Sequence, residues 1–204
     1  MNMLAHDIEV INEDGKTIYY NIIVDGDELE VTFKNNEGYI DEYNRGYFTS
    51  EKYKDTIRIP ENVYYEENVY RVTRIGEYSF CYGNKNIYNR DTSHELYILM
   101  PNSIKSIGIY AFAGRTFNGW WSSNGTIHLS ESLETIEDYA FYKCGIDRVF
   151  IPNSVVTIGD FAFDEISINS LFLGNSVNFI GKGAFKGNNI ESISSSNITL
   201  NSGG

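Results

Sequence analysis

Cysteine is scarce. Cys81 and Cys144 are the only two in 204 residues, too few for a disulfide-built scaffold and silent about the redox compartment. No apolar run exceeds a handful of residues, so no membrane-spanning helix is expected. Basic side chains are few, 16 against 28 acidic, for a net charge of −12. Phosphate backbones are repelled by such a chain, so nucleic acid is not an expected partner. The three histidines, His6, His94 and His128, lie in separate segments, and no H-E-x-x-H spacing occurs. There is no G-x-S-x-G elbow and no C-x-x-C. The sequence thus offers no catalytic constellation, and no enzyme activity, metal or cofactor is expected.

Hydrophobic residues make up 42% and aromatics 15%, which excludes a wholly disordered chain. At this length a compact unit buries roughly 70% of its unfolded surface. Charge is uneven. Residues 1–67 hold 16 acidic and 6 basic side chains, net −10; residues 68–204 hold 12 and 10, net −2. Two different structures are expected, a β cap over 1–56 and a repeat region over 57–204.

The repeat is read directly. Val149-Phe150-Ile151-Pro152-Asn153-Ser154-Val155 leads to Thr157-Ile158-Gly159 and Phe161-Ala162-Phe163. Leu171-Phe172-Leu173-Gly174-Asn175-Ser176-Val177 leads to Phe179-Ile180-Gly181 and Gly183-Ala184-Phe185. Three earlier copies start at Ile57, Ile98 and Ile127. Their phenylalanines, 80, 112, 141, 163 and 185, are separated by 32, 29, 22 and 22 residues, and the isoleucines 75, 107, 136, 158 and 180 step identically. The period is 22, with insertions near 64–72, 82–96 and 113–126. The first of these has the length of a hairpin.

Each copy opens with an apolar–x–apolar triplet, the alternation of a half-buried strand. The Ile and Ala-Phe positions face inward from the returning turn. No copy closes its own core, but stacked neighbours do. The pattern resembles the leucine-rich repeat, with Ile146, Val149 and Ile151, or Ile168, Leu171 and Leu173, at its apolar positions. The form I-P-x-S-V-x-x-I-G-x-x-A-F is similar to the BspA-type leucine-rich repeats of bacterial surface proteins. Ser130 and Gly174 depart from it in place of proline, and Glu137 in place of glycine. The resemblance implies an α/β-type but mostly β, right-handed solenoid. It would have a parallel concave sheet, short turns or helical turns on its convex side, and an N-terminal antiparallel β-meander cap. It also implies a surface or secreted protein that binds host matrix or other cell-surface proteins.

In the cap, strands are expected at Ile8–Ile11, Ile18–Val24 and Leu29–Phe33, with turns at Asp14-Gly15 and Asp25-Gly26. Asp25, Asp27 and Glu28 could clasp calcium, but a hairpin turn explains them without metal. Met1–Ala5 lacks a charged start and the length of a signal-peptide h-region. A cytoplasmic protein and an exported one both remain open, and the resemblance favours export. Near the C-terminus Ile193 opens another strand, but Ser195 takes its second inward position. A frayed terminal cap and a fragment are both compatible with that. Cys144 reads as a packing residue, with a Cys81–Cys144 disulfide as the lesser alternative. Gly181, Gly183 and Gly187 are explained by the repeat rather than by a phosphate loop.

Two surfaces remain as binding candidates. The middle residue of each triplet faces outward: Arg58, Leu99, His128, Phe150 and Phe172. Two residues earlier stand Thr56, Tyr97, Thr126, Arg148 and Ser170. Leu99, Phe150 and Phe172, with Tyr97 and Arg148, compose an aromatic, arginine-containing patch of the kind enriched in interface hot spots. Cross-strand stacking that stiffens the sheet is the plainer explanation; self-association is another use of the patch. The second surface is the loop carrying Phe117, Trp120 and Trp121, suited to a protein anchor or a sugar ring. A purely structural spacer is the remaining alternative.

Overall fold

The computed structural model describes residues 7–23, 26–32, 39–40, 46–47, 55–81, 96–114, 127–146 and 148–195. The N-terminal strands are β1 (Ile8–Ile11), β2 (Thr17–Ile22) and β3 (Glu28–Thr32), followed by the short pair β4 (Tyr39–Ile40) and β5 (Gly46–Tyr47). The first copy holds β6 (Asp55–Arg58), β7 (Asn62–Tyr65) and β8 (Asn68–Ile75). Each later copy contributes one or two short strands. These are β9 (Leu96–Leu99), β10 (Ser106–Ile107), β11 (Thr135–Ile136), β12 (Arg148–Phe150), β13 (Thr157–Ile158), β14 (Ser170–Phe172), β15 (Phe179–Ile180) and β16 (Ser192–Ser194).

The apolar triplets behave as their alternation requires. Ile57, Ile98, Val149 and Leu171 are buried, and so are Ile59, Ile151 and Leu173, while the residues between them face out or lie half-buried. The strands pair in parallel and in repeat register, β6 with β9, and β12 with β14 and then β16. The expected continuous sheet is nevertheless cut. Ile127–Leu129 keeps the buried–exposed–buried pattern but is not a strand. Ser130 then stands where other copies have proline, and its Oγ accepts a hydrogen bond from the Ser132 N–H at 3.2 Å.

The return side also differs from expectation. Among the described residues there is no helix, so the α/β-type label and its helical turns give way to tight turns. The Ile positions, expected to lie within those turns, form a second parallel sheet. Its order is β1-β2-β3-β8-β10-β11-β13-β15, with β7 pairing β8 as a hairpin. Gly108, Glu137, Gly159 and Gly181 donate their N–H groups to the carbonyls of Ile75, Ile107, Ile136 and Ile158 at 2.8–2.9 Å. At the N-terminal side β1, β2 and β3 form an antiparallel meander, and β3 runs parallel to β8 in the same sheet. The meander therefore extends this sheet edgewise rather than resting on the first repeat.

Between the sheets lies one core. Phe80, Phe112, Phe141 and Phe163 are fully buried and stack with Phe185 in a single file, centroids 5.0–5.3 Å apart. Cys144 is buried with its Sγ donating to the Phe112 carbonyl at 2.9 Å. Cys81 and Cys144 are not joined in a disulfide, so that alternative falls. At Gly174 the departure from proline has a steric reason, because a Cβ there would lie 2.2 Å from the Pro152 carbonyl oxygen.

Candidate binding face

The outward positions of the first sheet are placed by the strand ladder. Thr56 pairs with Tyr97, and Arg58 with Leu99. Arg148 pairs with Ser170 and Phe150 with Phe172, and the columns continue to Ser192 and Ser194. Tyr97, Leu99 and Phe150 are 45%, 42% and 54% exposed, and Phe172 is half-buried. The rings of Phe150 and Phe172 lie 6.2 Å apart at a tilt of 33°. Arg148 and His128 are exposed. These outward positions lie on two separate ladders, Tyr97 and Leu99 on one, Arg148, Phe150 and Phe172 on the other, with His128 on the intervening copy.

Arg58 is engaged differently. Its guanidinium meets the carboxylates of Glu13 and Asp14, at 2.5 and 3.6 Å, and its backbone carbonyl accepts from Asn12 Nδ2 at 2.8 Å. The β1–β2 turn therefore holds the N-terminal end of the face, and Arg58 belongs to that join. Phe117, Trp120, Trp121 and Thr126 lie outside the described residues, as does Asp25. The Glu28 carboxylate accepts from Thr73 Oγ1 at 2.9 Å. Among the described residues, no group of three or more His, Cys, Asp or Glu side chains could hold a metal, and no helix is long and apolar enough to cross a membrane.

A second aromatic file stands at the turns. Tyr78, Tyr110, Tyr139 and Phe161 stack at 5.3, 4.8 and 5.1 Å. All four have positive φ, 53–56°, a conformation that costs a non-glycine residue about 1–2 kcal/mol. In the last copy Gly183 takes the position, with a Cβ there falling 2.6 Å from the Phe161 ring. Burial, with Tyr139 and Tyr78 beside it, pushes the Tyr110 hydroxyl up to about 12. Its signal was present in the sequence as an aromatic residue directly before Ala-Phe or Ser-Phe in four copies.

Residues 85–202 match the BspA type Leucine rich repeat region, in six copies. That span begins after the first of the five copies read from the sequence, the one split by the β7–β8 hairpin. Among solved structures the chain is similar to a T. pallidum leucine-rich repeat protein, with 23% identity and a TM-score of 0.59, covering 86% of this chain and 67% of that one. It is also similar to the pneumococcal vaccine antigen PcpA, with 17% identity and a TM-score of 0.57, covering 94% of this chain and 51% of that one. At these identities the likeness shows the fold alone. No curated protein matches at a significant level.

Proposed function

The chain belongs to the BspA-type leucine-rich repeat family, and on that premise we propose that it is a non-enzymatic protein-binding module of a surface or secreted protein. Its binding face is the outward column of the first sheet, and its partner is a host matrix protein or another cell-surface protein. One observation carries this reading. Tyr97, Leu99 and Phe150 stand exposed at ladder positions where the strand pattern needs only a polar side chain. Arg148, two residues before Phe150 on the same strand, supplies a charged donor, and aromatic-plus-arginine clusters are where interface energy concentrates. The surface location rests on the family resemblance.

The test is binding of the 204-residue chain to a panel of immobilised host matrix proteins, with Phe150→Ser/Phe172→Ser beside the parent. Loss of binding in a variant with unchanged circular dichroism supports the face. Binding that survives there and is lost in Trp120→Ala/Trp121→Ala moves the site to the loop.

A further inference from the structure

Acidic side chains outnumber basic ones in this chain, 28 to 16, and its arginines reflect that. Arg58 meets Glu13 and Asp14, Arg71 meets Glu61 at 2.8 Å, and Arg74 meets Glu30 and Glu137. Arg148 is the exception among the described residues. It is exposed on β12 and has no ion pair there. The outward columns of the first sheet supply it with no carboxylate. From Thr56 to Phe172 they contain no Asp or Glu, and their basic side chains are Arg58, His128 and Arg148. Ser170, the register partner of Arg148, is uncharged. Two residues on stands the exposed Phe150, with the Phe172 ring tilted beside it at 6.2 Å.

We propose that the partner segment held by this face is acidic. A carboxylate of the partner takes the Arg148 guanidinium, and an apolar or aromatic side chain close to it lies on Phe150 and Phe172. The inference rests on the binding reading above and narrows it to a partner chemistry. Geometry favours it, because residues two apart on a strand point to the same side, roughly 6.5–7 Å from each other. One short extended segment, with an acidic and an apolar residue at the same spacing, therefore reaches both. The guanidinium fork matches a carboxylate through two parallel hydrogen bonds, and its weak hydration lets it be covered. A basic segment would instead set like charge against Arg148, with no acid in the columns to receive it. The net charge of −12 does not oppose this choice. Residues 1–67 account for −10 of it, and at physiological salt each exposed charge is screened beyond about 8 Å.

The test measures binding of the 204-residue chain to two random copolymers, poly(Glu,Tyr) and poly(Lys,Tyr), and to heparin as an anionic sugar. The expected result is binding to poly(Glu,Tyr) that weakens about tenfold or more in Arg148→Ser and also falls in Phe150→Ser/Phe172→Ser. Arg71→Ser, which removes an ion-paired surface arginine on β8, should bind as the parent does. Arg148 is exposed, so the thermal midpoint of Arg148→Ser should not move and the loss is not unfolding. Loss in Phe150→Ser/Phe172→Ser without loss in Arg148→Ser leaves the face standing and overturns the acidic partner. Binding to poly(Glu,Tyr) that neither variant disturbs overturns the face as well. A chain that ignores poly(Glu,Tyr), or that holds heparin in its place through Arg148, overturns the proposal. So does binding to poly(Lys,Tyr) that is lost in Phe150→Ser/Phe172→Ser, since the face would then take a basic segment.

Discussion

The first sheet is interrupted at Ile127–Leu129 and shows aromatic side chains to solvent, whereas the second runs unbroken from the meander to β15. Both are made by the same 22-residue copies. The second sheet's outward column, Arg74, Ser106, Thr135 and Thr157, is polar and half-buried. Arg74 ties the copies together there, with Nε 3.1 Å from Ser106 Oγ and 3.8 Å from Glu30, and Nη2 3.5 Å from Glu137. The contrast separates roles. The second sheet is uniform because every copy repeats the same short ladder with a fixed span between its Ile and Phe positions. Two of the three insertions, 82–96 and 113–126, precede triplets of the first sheet, and there the outward residues vary without cost to the core. Variation of that kind is what a recognition surface requires.

The largest way to break the comparison is through the shared core. Phe141→Ala removes the middle ring of a buried file and should cost about 3–5 kcal/mol, read as a drop in the denaturant midpoint. Both sheets should melt together, because Phe141 packs under both. Next comes Gly174→Ala. Its Cβ would meet the Pro152 carbonyl oxygen at 2.2 Å, and an overpacked site of this kind costs about 1–3 kcal/mol. Hydrogen exchange should localise the loosening to the first-sheet side, between β12 and β14.

Phe150→Ser/Phe172→Ser should cost about 1 kcal/mol, the worth of one aromatic pair, because both positions face outward. A far larger loss in thermal unfolding would show that these rings serve the fold. The smallest effect is at Glu137, on the second sheet. Desolvation raises its carboxyl above the ordinary range, and Arg74 opposes the shift. A carboxyl raised in the fold contributes stability that is present below its unfolded value and lost as pH rises through the folded one. Glu137→Gln should therefore match the parent in acid and exceed it near neutrality. A parallel pair of stability curves from acid to neutral pH would refute this.

The triplets were legible because period-two burial needs only neighbouring residues, and Ile57, Val149 and Leu171 obey it. The inward phenylalanines were legible because five copies repeat them. The second sheet was not, since a two-residue strand such as Thr157–Ile158 carries no alternation to read. Its hydrogen bonds exist only when the copy 22 residues away is in place. Nor did the sequence separate the exposed column into two ladders, or assign Arg58 to Glu13 and Asp14 across 45 and 44 residues of chain. Of the candidate face, the outward phase of each residue was readable and its neighbours were not.

The sequence by itself determined the period, the inward and outward positions and the acidic N-terminal region, because each follows from residue type at fixed spacing. Tertiary structure decided how the meander joins the stack and where the first sheet breaks. Those depend on which copy lies beside which, and burial at a repeat position is complete only when the next copy is there to supply it.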